Sequence, residues 1–142
     1  MDLTQLPGIK TEDNQAAIAL GIIDGGSRYC LSLEKVINKT SITLLGIKHQ
    51  RSDKHCPWQN GKIERLFGTF KQCLKRYTLS SNHLGAELSE FKTWYNYCRP
   101  HQGLKGKTPA EQHDQKTANS EGHGFYTRFW QGALTGFYLP PN

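Results

Sequence analysis

The sequence lacks any long hydrophobic run. Its longest, residues 16–23, is eight residues, far below the roughly 20 apolar residues that a membrane-spanning helix needs. Mean hydropathy is −0.65, and the first residues show neither the basic segment nor the apolar segment of a secretory signal. At 142 residues the chain has the size of one domain. We therefore expect a cytoplasmic protein with no membrane partner.

Paired cysteines are also missing. Cys30, Cys56, Cys73 and Cys98 are widely spaced, with no Cys-x-x-Cys pair. His55 beside Cys56 is the one adjacent pair of soft metal ligands, and no second pair follows at zinc-finger spacing. This spacing favours four reduced thiols over a zinc site.

Positive charge is concentrated in one segment. Residues 46–76 hold eight basic and two acidic residues, a net +6, which equals the net charge of the whole chain. A solvated basic face is the simplest interpretation of such a cluster. Because the rest of the chain is balanced, the cluster instead favours a polyanionic partner such as nucleic acid.

The first third of the chain predicts strands. Residues 3–6 are typical of a short strand ended by Pro-Gly, residues 16–23 are continuously apolar, and a third strand resumes at residues 29–36 after Asp24-Gly25-Gly26. The glycines allow a tight turn. We therefore expect three strands in an antiparallel meander, with Asp24 serving the turn.

Helices are predicted further along. Residues 41–45 resemble the start of a helix, and residues 47–50 a short strand. Residues 62–77 form the clearest helix, because apolar side chains recur at helical spacing. A second amphipathic helix spans residues 84–98, and Thr-Pro-Ala-Glu at 108–111 is a capping box that begins a third. We divide the chain into a core at 1–116 and an aromatic-rich tail at 117–142 that packs on the core or on a partner.

Three stretches, in this order, carry a family resemblance. The first is Met-Asp-Leu-Thr at 1–4 with Ile-Ile-Asp-Gly-Gly-Ser-Arg at 22–28. The second is residues 46–52 followed by Pro-Trp-Gln-Asn-Gly-Lys-Ile-Glu-Arg-Leu-Phe-Gly-Thr-Phe-Lys at 57–71. The third is Trp-Tyr-Asn at 94–96 with Arg-Pro-His-Gln at 99–102 and the capping box. Together they resemble the integrase-type catalytic cores of bacterial insertion-sequence transposases, which are similar to retroviral integrases.

The resemblance implies an α/β, ribonuclease-H-like fold, a mixed five-stranded sheet with helices on both sides. It also implies DNA integration and recombination by phosphoryl transfer, with an Asp-Asp-Glu triad holding two Mg²⁺ or Mn²⁺ ions. Asp2 matches the first carboxylate and Glu64 the third. On the helical period Glu64, Gly68, Lys71 and Lys75 share one face away from the apolar stripe, where Gly68 leaves room for a polymer. We expect Lys62, Arg65, Lys71 and Lys75 to contact DNA; an ordinary exposed Glu–Lys face is the alternative.

The second aspartate of the triad has no counterpart. Residues 44–49 join two family-like stretches directly, which favours an internal deletion that removes one strand and about two helices. Residues 11–14 superficially resemble the missing motif but fall in a turn between strands. Asp53 would replace the missing carboxylate only if residues 47–50 occupied the vacated position beside the first strand. The upstream DNA-recognition module of such proteins is also without a counterpart, so translation from Met1 would begin inside the ancestral gene.

Three functions remain open from the sequence. The first is a transposase core by descent, catalytically defective because of the missing aspartate. The second is a DNA-binding module without catalysis that pairs with an intact transposase or coats DNA. An uncovered sheet edge beside the first strand would also favour self-association. The third is a remnant that folds poorly, because losing a strand and helices uncovers apolar surface and an open sheet edge.

Overall fold

The computed structural model of the protein describes residues 1–10, 15–36, 60–116 and 124–140. The described strands are β1 (Asp2–Lys10), β2 (Ala16–Ile23), β3 (Cys30–Val36), β4 (Phe125–Phe129) and β5 (Leu134–Tyr138). The described α-helices are α1 (Gly61–Leu74), α2 (Leu84–Thr93) and α3 (Pro109–His113). A π-helical turn (Trp94–Cys98) continues α2, and short 3-10 turns span Gln102–Leu104 and Trp130–Gly132.

The first three strands form the predicted antiparallel meander, in the order β1-β2-β3. Asp2 pairs with Gly21, and Ile23 pairs with Cys30. The prediction that β1 ends before Pro-Gly was wrong, because the strand continues to Lys10. A register shift between Gln5 and Lys10 absorbs this segment, where Gly8 has a φ of 78° that glycine adopts without steric cost.

The turn between β2 and β3 is organised by Asp24. Its Oδ2 accepts hydrogen bonds from the Gly26 amide (3.1 Å), the Ser27 amide (2.6 Å) and the Ser27 hydroxyl (2.6 Å). Hydrogen bonding from Ser27 lowers the pKa of this carboxyl below its ordinary value, because the bonds favour the charged form. The structural role expected for Asp24 is therefore confirmed.

One face of the sheet packs against α1 and α2. The apolar side predicted for α1 enters this core, through Ile63, Leu66, Phe67 and Phe70. The opposite face of the sheet carries a second, smaller cluster centred on Leu20 and Val36, as expected because alternate residues of a strand point to opposite faces.

The end of α1 differs from the prediction. The helix stops at Leu74, whereas its apolar pattern continues to Tyr77. Tyr77 instead stacks on Trp130, with ring centroids 5.0 Å apart, and donates a hydrogen bond to Glu87 Oε1 at 2.8 Å. Trp130 is 1% exposed and donates from Nε1 to the Glu87 carbonyl at 2.8 Å. Tertiary contacts thus end the helix before the sequence pattern does.

The π-helical turn after α2 is fixed to the sheet by Asn96. The buried Asn96 side chain accepts from the Cys30 amide (2.8 Å) and donates to the Cys30 carbonyl (2.9 Å). An amide side chain thereby bonds to both backbone groups of the residue that begins β3. The capping box also forms as predicted, with both reciprocal hydrogen bonds between Thr108 and Glu111.

The predicted α/β class is confirmed, with a three-stranded sheet, packed helices and a two-stranded hairpin. Every strand pairing in the described residues is antiparallel. The helix predicted at 41–45, the strand at 47–50, Asp53 and the motif at 11–14 lie outside the described residues. The predicted division after residue 116 adjoins residues 117–123, which are also outside them. No helix in the described part is long and apolar enough to cross a membrane.

Candidate nucleic-acid and metal site

Asp2 lies at the start of β1, on the face of the sheet that α1 covers. It is directly opposite Gly21 in the antiparallel pair, and paired residues point to the same face. Gly21 lies under α1: a Cβ built on it would stand 2.8 Å from Phe67 Cζ and 3.2 Å from Ile63 Cδ1. The sequence carries glycine where the helix approaches the sheet backbone most closely.

Glu64 lies in the first turn of α1 and is exposed. It follows Ile63, whose side chain packs beside the Asp2–Gly21 pair. The structure therefore places the two predicted carboxylate residues on elements that contact each other. A carboxylate in the first turn also interacts favourably with the helix dipole, so Glu64 has a structural reason to occupy this position.

Two divalent ions would place specific demands on the predicted ligands Asp2 and Glu64. Mg²⁺ and Mn²⁺ take hard oxygen ligands, and two adjacent ions need bridging carboxylates. Asp2 and Glu64 have suitable chemistry, but the described residues contain no group of three His, Cys, Asp or Glu side chains that could hold a metal. The described donor set therefore does not fit a two-ion site.

The face of α1 opposite its apolar stripe is exposed as predicted. Glu64, Gly68, Lys71 and Lys75 are all exposed, and nothing lies within 4 Å of a Cβ built on Gly68. The room that the sequence predicted at Gly68 is present.

The four predicted DNA contacts do not form one cluster. Lys62 donates from Nζ to the Gly25 carbonyl, so it holds α1 to the β2–β3 turn. Arg65 is exposed on the same helix. Lys71 lines a pocket of about 390 Å³ with the ends of β1 and β2, whereas Lys75 lines another of about 520 Å³ beyond the helix end.

Two arginines, Arg99 and Arg28, place positive charge near the buried His101. The sequence analysis did not predict this arrangement. Arg99 Nη1 lies 3.2 Å from His101 Nε2, and Arg99 also lies over the Tyr95 ring at 5.9 Å. Burial, followed by the positive charges of Arg99 and Arg28, lowers the pKa of His101 to about 4. The Arg-Pro-His motif at residues 99–101 already places a cation beside this histidine. In the sequence analysis the motif contributed to the family resemblance alone.

A family comparison now adds to this geometry. Residues 45–109 match the model of a family described as the integrase core domain. No curated protein and no solved structure matches the chain. The matched segment is a little under half of the chain and includes α1 with Glu64, α2, the π-helical turn and the start of α3. The resemblance to integrase-type cores is confirmed over this matched segment.

Proposed function

We propose that this protein is a transposase-derived DNA-binding core that has lost strand transfer. The observation that carries the proposal is three exposed cations within the segment that matches the integrase core domain. Arg65 and Lys71 lie on α1, and Lys75 directly follows its last residue. Integrase-type domains act on DNA, and exposed cations along one helix attract a phosphate backbone without reading its sequence.

The loss of strand transfer follows from the ligands. In-line attack on a phosphodiester requires ions at the entering and leaving oxygens. Asp2 and Glu64 supply two carboxylates, and the sequence offers no counterpart for the second aspartate of the triad. An internal deletion near residues 44–49 accounts for this, and Asp53 is the one candidate replacement. We expect weak binding of a single Mg²⁺ or Mn²⁺ at most, because Mg²⁺ gives up its waters reluctantly.

Duplex binding should depend strongly on salt. If roughly four to six cations meet phosphates, log K should fall with log salt at a slope of about −4 to −5. Substituting Lys71→Ala together with Lys75→Ala removes two such contacts, so the slope should become shallower by about 2. Fluorescence anisotropy of a labelled duplex across a salt series measures both values.

The matched control is Lys107→Ala with Lys116→Ala, which removes two exposed lysines outside α1. It should leave the slope within error of the wild-type value, and scrambled duplexes should bind equally well. Affinity that does not change with salt, or an absence of binding in low salt, would overturn the proposed function.

A further inference from the structure

A basic pocket lies where the C-terminal end of α1 meets the π-helical turn and the β4–β5 hairpin. It has a volume of about 520 Å³, and Lys75, Arg76 and Arg99 line it together with Trp94 and Thr135. None of its described lining residues is acidic. Trp94 Nε1 donates to the Thr135 carbonyl at 3.0 Å, which ties the hairpin to the pocket wall. This concentration of unbalanced cations favours an anionic ligand.

Arg99 is held in place before any ligand arrives. Its guanidinium contacts the His101 ring at 3.2 Å and lies over the Tyr95 ring. His101 is 3% exposed, and because burial lowers its pKa to about 4 it stays neutral at pH 7. A neutral imidazole positions the cation without cancelling its charge.

The β4–β5 hairpin, which contributes Thr135 to this pocket, also carries an exposed aromatic face. Tyr126 and Phe137 are cross-strand partners in the hairpin, 54% and 63% exposed, with ring centroids 5.4 Å apart. Arg128 lies over the Tyr126 ring at 5.7 Å. Arg128 is in turn paired with Thr135, which lines the pocket. Thr135 therefore belongs both to the lining of the basic pocket and to the hairpin that carries the aromatic face.

We propose that this surface binds single-stranded DNA, with phosphates on Lys75, Arg76 and Arg99 and unpaired bases stacked on Tyr126 and Phe137. Such binding has two requirements. Cations must follow the phosphate backbone, and aromatic rings must be exposed so that any base can stack on them. A duplex keeps its base faces stacked and gains little from exposed rings, and an apolar protein partner would leave three cations unmatched.

The proposal rests on the proposed function in one respect, that the chain binds DNA. It assigns the unpaired strand to a surface that shares Lys75 with the proposed duplex contacts. Arg76, Arg99, Tyr126 and Phe137 have no part in the proposed duplex contacts. The hairpin is outside the segment that matches the integrase core domain. Duplex and single-strand binding can therefore be tested with different variants.

The test measures anisotropy of a labelled oligothymidine and of a labelled duplex with Tyr126→Ala, Phe137→Ala and Arg76→Ala. Each aromatic variant should weaken oligothymidine binding by roughly 5- to 100-fold, the range that loss of one stacked base produces. Duplex binding should change by less than about twofold. Arg76→Ala should make the single-strand salt slope shallower by about 0.7.

Leu31→Ala is the matched control, because Leu31 is another exposed apolar side chain, on β3. It should change neither affinity, and thermal melts should show that all variants fold. If the three variants bind oligothymidine within twofold of wild type while Lys71→Ala with Lys75→Ala still weakens duplex binding, this inference alone fails. If no DNA binds, the proposed function fails. If Phe137→Ala changes only the sedimentation of the protein by itself, the face joins two copies and the inference is overturned.

Discussion

The histidine of the Arg-Pro-His motif, His101, is buried beside an arginine and an aromatic ring. Its ring packs edge-on against Tyr95, with centroids 4.7 Å apart, and it contacts Arg99. A charged imidazole here would face Arg99, Arg28 and Arg65 together. Charging His101 therefore opposes folding.

The stability of the protein should fall in mildly acidic solution because of His101. Its pKa is about 4 in the folded chain against an ordinary value of 6.5, so the unfolded chain binds more protons between these values. The free energy of unfolding should therefore decrease as pH falls from 6.5 to 4, and this contribution should level off below 4. Urea denaturation at pH 7.0 and pH 5.0 measures the difference.

The variant His101→Gln should lose less stability between those two pH values than wild type, because glutamine accepts a hydrogen bond without titrating. His83→Gln is the matched control, since His83 is exposed, and it should retain the wild-type pH dependence. An identical pH dependence in His101→Gln and wild type would show that His101 is not the group responsible.

At the scale of elements, two glycines on facing elements predict opposite effects of the same substitution. Gly21→Ala should lower the free energy of unfolding by about 1–3 kcal/mol, because the new methyl group meets Phe67 at 2.8 Å. Gly68→Ala should raise it by roughly 0.5–1 kcal/mol, because the site is open and alanine favours the helix. Chemical denaturation of both variants measures the pair.

The same pair also tests the DNA-binding face. If DNA approaches α1 closely at Gly68, then Gly68→Ala should weaken duplex binding even though it stabilises the protein. A stabilised Gly68→Ala variant with unchanged affinity would show that the backbone of DNA does not pass over this position.

Local signals in the sequence predicted most elements. The meander follows from apolar runs and a glycine turn, and the capping box from four residues. The end of α1 did not follow, because it depends on Tyr77 meeting Trp130, far away in the sequence. The same holds for the site: helical periodicity predicted which face of α1 is exposed, but the basic pocket needs a hairpin that follows α1 by many residues.

At the scale of the whole molecule, the proposed loss of the second aspartate predicts a defect in catalysis. Wild-type protein with Mn²⁺ should leave a labelled duplex unnicked, because two carboxylates cannot hold and bridge two ions. Glu64→Gln would abolish the activity of an intact transposase. In this protein it should cause no further loss, because no nicking activity is expected in the wild type. A nicking assay on wild type, Glu64→Gln and Asp53→Asn measures this. Cleavage by wild type that both substitutions remove would instead establish Asp53 as the third ligand.

Trp130 has a consequence for how the protein is made. The indole packs against the rings of Phe70 on α1, Phe91 on α2 and Tyr77 in the segment between them, all of which precede it in the chain. The ribosome therefore synthesises α1 and α2 before Trp130, whose side chain packs against both helices. During translation, until the hairpin emerges, three aromatic rings lack their common neighbour and remain available to chaperones, so the nascent chain completes its core late.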